Sequence, residues 1–319
     1  MHKVRLFLND RSSSQAKVAP QIELVKQKLF RSDLDFVSPN TYEELKNELA
    51  RAVNEKIDVV VSVGGDGTVN TLIQSLGGTD TAFLIIPAGT ANDLAREMGL
   101  IRRIDKAIDL IRGGEPEKID LIKINDLRMA TNGGIGIAGE VADHVNSLRN
   151  KIPGFKKAMS VFRSKMYSLI LGYEILFPEL KLYELSIESK EFTGNIRSPL
   201  LLINNQAALG GEFKVASQTR NNDGTFNVSA FLHTNKKDFL KAVMHIRLHG
   251  EAPKNDPNFL SFECQELKLK SFKPVLFFGD GESFERNIEF DIKIEPNALK
   301  VYGYRQISQQ IHKQEAHPT

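Results

Sequence analysis

Val59-Val60-Val61-Ser62-Val63-Gly64-Gly65-Asp66-Gly67-Thr68-Val69-Asn70 is the stretch from which the rest of the chain can be read. An apolar run of strand character empties into two glycines, an aspartate, a third glycine and a threonine, and then helical spacing resumes. A strand that ends in glycines lets backbone N–H groups approach a phosphate, and the helix that follows turns its positive end toward it. A carboxylate is out of place in a bare phosphate cradle, so Asp66 implies a metal ion, a bound hydroxyl or a proton to be moved. The stretch reads as an active-site loop.

Outward from it, strand and helix patterns alternate. Residues 4–9 read as a strand, 15–30 as an amphipathic helix and 34–38 as a second strand. Thr41 and Glu44 form a capping box that opens a helix through about Asn54. Residues 58–63 and 83–87 are the third and fourth strands. Helices follow at 92–98 and 105–112, the second stopped by Gly113-Gly114. Asp120 reads as the end of a further strand after Lys118-Ile119. This alternation predicts a parallel sheet covered by helices over residues 1–122. In such sheets ligands bind beyond the carboxyl ends of the strands, where residues 64–68 and 88–93 both fall.

Past residue 120 the pattern changes. Short β-rich runs at 182–188, 200–204, 226–232, 266–271, 275–278 and 288–294 are separated by turn residues. They predict an antiparallel β domain over 123–297, built as a sandwich. Helical stretches interrupt it at 144–177 and 236–248. A last strand-like piece, 298–304, suits a return to either domain, and the expected first domain takes in about 298–310 on that basis. Residues 308–319 read as a polar tail.

The chain has 319 residues, 41% hydrophobic and 26% charged, which favours two domains over one. Lys+Arg 42 against Asp+Glu 40 is too balanced for a dedicated nucleic-acid binder, so no nucleic-acid partner is expected. The single cysteine, Cys264, excludes an internal disulfide and a cysteine-based zinc site. The richest apolar run, 166–177, is too short to span a bilayer and contains Glu174, and no signal peptide is read at the start. A cytoplasmic protein is expected.

Three motifs now converge: Gly64-Gly65-Asp66-Gly67-Thr68, then Pro87-Ala88-Gly89-Thr90-Ala91-Asn92-Asp93-Leu94-Ala95, then Gly279-Asp280-Gly281-Glu282. In this order and spacing the chain resembles the diacylglycerol kinase and sphingosine kinase family, specifically its bacterial YegS-type lipid kinases. The resemblance implies a Rossmann-like nucleotide-binding α/β domain, a β-sandwich domain, and an ATP cleft between them. It also implies magnesium-dependent transfer of the γ-phosphoryl group of ATP to a lipid hydroxyl of diacylglycerol type. Phosphoryl transfer needs a phosphate cradle, charge neutralisation by metal and a base on the attacking hydroxyl, and each has a candidate here.

Gly64, Gly65, Asp66, Gly67, Thr68, Val69, Asn70 and Thr71 form the expected nucleotide loop, although family members usually carry glutamate where this chain has Thr71. Thr90 and Asn92 are further expected nucleotide contacts, and Ser38, at the end of the second strand, is another. Asp93 is expected in a carboxylate–water–magnesium network with Asp66, and Asp120 either joins it or is a satisfied turn carboxylate. Thr90, Asn92 and Asp93 equally suit a turn and helix cap. Glu282 is the expected general base, on a turn that Asp280-Gly281 would form in any context. The resemblance implies a structural magnesium on the Asp223 side chain and the carbonyls of Arg220 and Thr225; a plain turn before 226–232 explains the same residues. Residues 151–173 mix lysines and arginines with aromatic residues. This suits either contact with the inner face of an anionic membrane, where the lipid substrate would be met, or a helix with a solvated basic face. The architecture also admits a homodimer. Two other functions stay open: a kinase of a soluble alcohol such as NAD, and a nucleotide- or lipid-binding regulator without turnover.

Overall fold

The computed structural model describes residues 2–8, 15–29, 32–89, 92–101, 104–137, 139–140, 179–209, 213–252 and 256–303. Thr90, the expected helical stretch 144–177 with its basic-aromatic part 151–173, and the tail 308–319 lie outside them. The chain divides into two compact units, one formed by residues up to Ile119 with those from Asn297 onward, the other by Asp120 to Pro296.

In the first unit the elements run β1 (Lys3–Leu8), α1 (Gln15–Lys28), β2 (Asp33–Val37), α2 (Tyr42–Asn54), β3 (Val59–Gly64), α3 (Asp66–Leu76), β4 (Ala82–Pro87), α4 (Asp93–Glu97) and α5 (Ile104–Gly113). The strands pair in parallel in the order β2-β1-β3-β4. Residues 300 and 301, far along the chain, pair in parallel with the outer edge of β4. α1 packs with α5, and α2 with α3. Every residue of β3 is buried, which is why its sequence reads as a continuous apolar run and not as an alternating one. On the inner strand β1 the buried Arg5 is paired with Asp35 at 2.9 Å and Glu55 at 2.6 Å, as a charge in such a place must be. Leu72, Ile73 and Leu76 of α3 have no exposed surface, each contributing about 1.5–3 kcal/mol of apolar burial. At the start of α2, Thr41 accepts the N–H of Glu44 at 3.1 Å, while the Glu44 carboxylate reaches Asn40 N at 2.7 Å, one residue earlier than a capping box requires. The strand order reverses between β1 and β3, with β2 added on one side of β1 and β3 on the other, so the carboxyl ends of these two parallel strands form the switch point of the sheet.

The second unit holds β5 (Glu117–Ile124, entering from the first unit), β6 (Leu127–Met129), β7 (Asn132–Gly136), β8 (Tyr183–Glu188), β9 (Thr193–Ser198), β10 (Leu200–Asn204), β11 (Phe226–Phe231), α6 (Lys236–His249), β12 (Phe259–Cys264), β13 (Glu266–Gly279) and β14 (Glu282–Val301). The expected antiparallel strands are present, linked by hydrogen bonds into one branched network. One ladder runs β12-β11-β10-β7-β13-β14, while β8 with β9 branches from β13, and β5 with β6 from β14. The runs expected at 266–271 and 275–278 are one strand, and the run at 288–294 continues into that expected at 298–304 as another strand, which ends at Val301. Pro274 does not end β13 because it sits in a register break between Lys270 and Val275, where no ladder donor is needed. The branches enclose one apolar cluster that includes Leu185, Ile187, Leu269, Ile203, Val228 and Ile292. Alternate residues of β10, Leu200 and Leu202, face the other way and pack with Phe239, Ala242 and Ile246 of α6. That helix is capped by the Asn235 side chain and closed by Gly250 at φ 70°.

β7 was not expected. Its sequence, Asn132-Gly133-Gly134-Ile135-Gly136, is threaded between β10 and β13. A Cβ on Gly134 (φ 150°) would lie 2.0 Å from Leu201 O, so only glycine fits there. Asp120 is likewise corrected: it lies inside β5, not at a strand end. Among the described residues no helix is long and apolar enough to cross a membrane.

Candidate active site

The first candidate loop leaves β3 at Gly64 and enters α3 at Asp66, with Gly65 as the N-cap. Glycine offers the first N–H groups of α3 no side-chain cap, the arrangement in which a bound phosphate can act as the cap. The second loop leaves β4 at Pro87 and reaches α4 through Asn92, which adopts the left-handed conformation at φ 49°. Two contacts fasten the loops together. Gly65 and Gly89 meet backbone to backbone: a Cβ on Gly89 would lie 2.4 Å from the Gly65 Cα. The Asp66 carboxylate then accepts the N–H of Asn92 at 3.0 Å on one oxygen and that of Asp93 at 2.9 Å on the other. These N–H groups begin α4, so the carboxylate that looked misplaced among phosphate donors is aimed at the positive end of the neighbouring helix. Asn92 completes the clasp, accepting Gly89 N–H at 2.9 Å and donating to Gly89 O at 3.1 Å.

The other expected nucleotide residues are placed as follows. Gly67, Thr68, Val69 and Asn70 occupy the first turns of α3, Val69 buried and the others half-buried. The Thr71 hydroxyl donates to Gly67 O at 3.1 Å within the same helix, a use that a glutamate could not copy. Ser38 is exposed at the end of β2, its hydroxyl 3.4 Å from Leu8 O.

In the second unit, Gly279 and Glu282 form the closing pair of a hairpin whose two loop residues, Asp280 (φ 53°) and Gly281 (φ 76°), both have positive φ, as a type I′ turn demands. Glu282 is half-buried on the strand leaving that turn. Asp280, passed over in the sequence as a turn residue, is buried. Its carboxylate accepts Ala130 N–H at 3.0 Å, Thr131 N–H at 2.8 Å and the Thr131 hydroxyl at 2.6 Å. These bonds orient the turn that carries Glu282. No short-range signal marks them, because the partners lie about 150 positions away in sequence.

Asp120 is buried, and its carboxylate accepts Gly224 N–H at 2.7 Å, which places it against the loop 220–225. Asp223 is exposed on that loop, its Oδ1 accepting both the N–H (3.1 Å) and the hydroxyl (3.0 Å) of Thr225. One carboxylate with the carbonyls of Arg220 and Thr225 is an all-oxygen set that fits a hard cation. Among the described residues no three acidic, histidine or cysteine side chains cluster as metal ligands, so any cation here would rely on backbone carbonyls and water.

A doubly wound parallel sheet with a glycine-rich strand-to-helix loop at its switch point defines the class of phosphate-binding α/β folds. The comparisons narrow it. The profile of the diacylglycerol kinase catalytic domain matches residues 3–124. A diacylglycerol kinase of Bacillus subtilis (strain 168) is 30% identical over 236 residues, 72% of this chain and 73% of that one. A Citrobacter koseri protein named "Probable lipid kinase YegS-like" is 27% identical over 268 residues, covering 80% and 82% of the two chains. The chain belongs to the diacylglycerol kinase family. A solved diacylglycerol kinase from Bacillus anthracis str. Sterne shares the fold at a TM-score of 0.70 and 18% identity, over 95% of this chain and 97% of that one. An NAD kinase from Archaeoglobus fulgidus, solved in complex with ATP, shares it at 0.52 and 12% identity over the whole of both chains.

Proposed function

We propose that this protein is a magnesium-dependent lipid kinase that moves the γ-phosphoryl group of ATP to the hydroxyl of a diacylglycerol-type lipid. The observation that carries the proposal is the clasp between the two glycine loops, in which Asp66 holds Asn92 and Asp93 while the glycines keep the backbones in contact. It supports a rigid N–H-lined cradle for phosphates at the start of α3. Thr90, Asn92 and Ser38 would contact the nucleotide. Asp66, Asp93 and Asp120 would hold magnesium through water, and Asp223 with the carbonyls of Arg220 and Thr225 a second, structural ion. Magnesium in such a site neutralises charge on the transferring group. Glu282 would take the proton of the acceptor hydroxyl, and the turn built by Asp280 favours that role by fixing its backbone. We place the reaction at a membrane surface, because the acceptor is a lipid.

The test is label transfer from γ-labelled ATP to diacylglycerol, phosphatidylglycerol, ceramide, a sphingoid base and NAD, for the natural chain and Glu282→Gln. Labelled lipid that falls about a hundredfold in the variant, the lower end of the range for loss of a positioned base, is expected. The fold shared with an NAD kinase makes a soluble hydroxyl the competing reading. Labelled NAD without labelled lipid would replace the proposal with it, and ATP binding without transfer to any acceptor would leave a regulator.

A further inference from the structure

We propose that Asn205 is a positioning residue: its side-chain amide locks the peptide on which the Glu282 turn rests, and so sets the geometry of proton transfer. The inference rests on the reading of Glu282 as the base. Asn205 has no exposed surface. Its Nδ2 donates to two carbonyls at once, Asp120 O and Ala130 O, each at 2.8 Å, while its own N–H donates to Thr131 O at 2.9 Å. Ala130 and Thr131 are therefore gripped by Asn205 through their carbonyls and by the Asp280 carboxylate through their N–H groups. Asp280 in turn donates its own N–H to Asn132 O at 3.1 Å and leads, through Gly281, to Glu282. A peptide whose carbonyl accepts a hydrogen bond becomes a better donor at its N–H, so these bonds reinforce one another.

The other arm of the amide ends on a strand with its own attachment. Asp120 N–H donates to Asn221 O at 2.7 Å, and its carboxylate accepts Gly224 N–H at 2.7 Å. One side chain thus ties the peptide supporting the Glu282 turn to β5, the strand hydrogen-bonded to the 220–225 loop. Of the uncharged side chains, only the amides of asparagine and glutamine bring two donors from one nitrogen. The Asn205 oxygen has no protein partner among the described residues, which leaves the two donors to account for the residue.

The test is a double-mutant cycle on label transfer, pairing Asn205→Leu with Glu282→Gln, and Thr131→Val with Glu282→Gln. Thr131→Val removes one hydroxyl bond to Asp280 at nearly constant volume and carries the cycle should Asn205→Leu not fold. Each single variant is expected to lower kcat by about tenfold to a hundredfold, the scale of a slightly misplaced catalytic group, with KM for ATP unchanged. In the Glu282→Gln background the same substitutions should change little, because the group they position is gone. Amide exchange should also quicken at Thr131 and Asp280 but not in β3, a readout that needs no turnover. Losses that multiply in full with Glu282→Gln would overturn the inference and leave the base assignment standing. Glu282→Gln at the natural rate would remove the base assignment and the inference with it.

Discussion

Replacing Gly89 by alanine tests the clasp without disturbing backbone propensity, since Gly89 does not sit in the left-handed region. The new Cβ would lie 2.4 Å from the Gly65 Cα and 2.8 Å from Asn92 Oδ1. Ordinary contact begins near 3.4 Å, so the loops must part by about 1 Å. The bonds from Asn92 and Asp93 to Asp66, now 3.0 and 2.9 Å, would stretch toward 4 Å, beyond hydrogen-bonding range, if the strain were taken up there. Bonds to a carboxylate contribute about 1.5–3 kcal/mol each, and overpacking costs about 1–3 kcal/mol, so with both bonds lost a stability loss of about 4 kcal/mol or more is expected. On the proposed function, a phosphate cradle displaced by this much should lose about a hundredfold in kcat/KM for ATP. Urea unfolding and initial rates at varied ATP measure the two effects. A Gly89→Ala protein with the natural midpoint and natural kcat/KM would refute the claim that loop contact holds the site together.

Three further outcomes follow from the structure. Asp280→Asn keeps the size and the left-handed tolerance of the residue but lacks the charge that three donors address, so unfolding should become easier by about 2–3 kcal/mol; an unchanged urea midpoint would count against the turn's dependence on that carboxylate. Burial, aided by Glu191, pushes the Cys264 thiol from 9.0 up to about 12, so at pH 8 iodoacetamide should label the folded chain about a thousandfold more slowly than the urea-unfolded chain, and equal rates would contradict the burial. The hydrogen bond from Arg51, then that from Arg5, holds the Glu55 carboxyl below its usual 4.5. A carboxyl with a lowered folded value adds stability above its unfolded pKa and loses it as pH falls through the folded one, so Glu55→Gln should flatten the fall of stability below about pH 4.5, and an identical acid limb would rule this out.

Much of the first unit was legible because its signals are local. The apolar run of β3, the Thr41 cap and the glycines of the loops each act within a few residues, and the elements appear within one to two residues of where periodicity puts them. What was not legible depends on distant neighbours. β7 carries one β-branched residue, Ile135, too few to announce a strand, because the carbonyls of Leu201 and Phe278 leave no room for side chains at Gly134 and Gly133. Pro274 looks like a strand end until the register break beside it is known. Asp280 and Asp66 show the same limit within the site. Their residue types pointed to chemistry or to turns, while their partners, the N–H groups of Ala130 and Thr131 and those of Asn92 and Asp93, are set by tertiary structure alone.

The pairing of residues 300 and 301 with β4 has a consequence for how the protein is made. Lys300 meets Ala82 across a separation of 218 positions, 300 less 82, so the first unit is begun early in translation and finished last. At about 5–20 residues per second, roughly 10–45 s pass between synthesis of the two partners. Throughout that interval the outer edge of β4 has no strand beside it and invites pairing with other chains. The nascent protein thus has a window of vulnerability written into its topology. A fragment cut after Ile119 would lack that partner strand and keep the edge of β4 open.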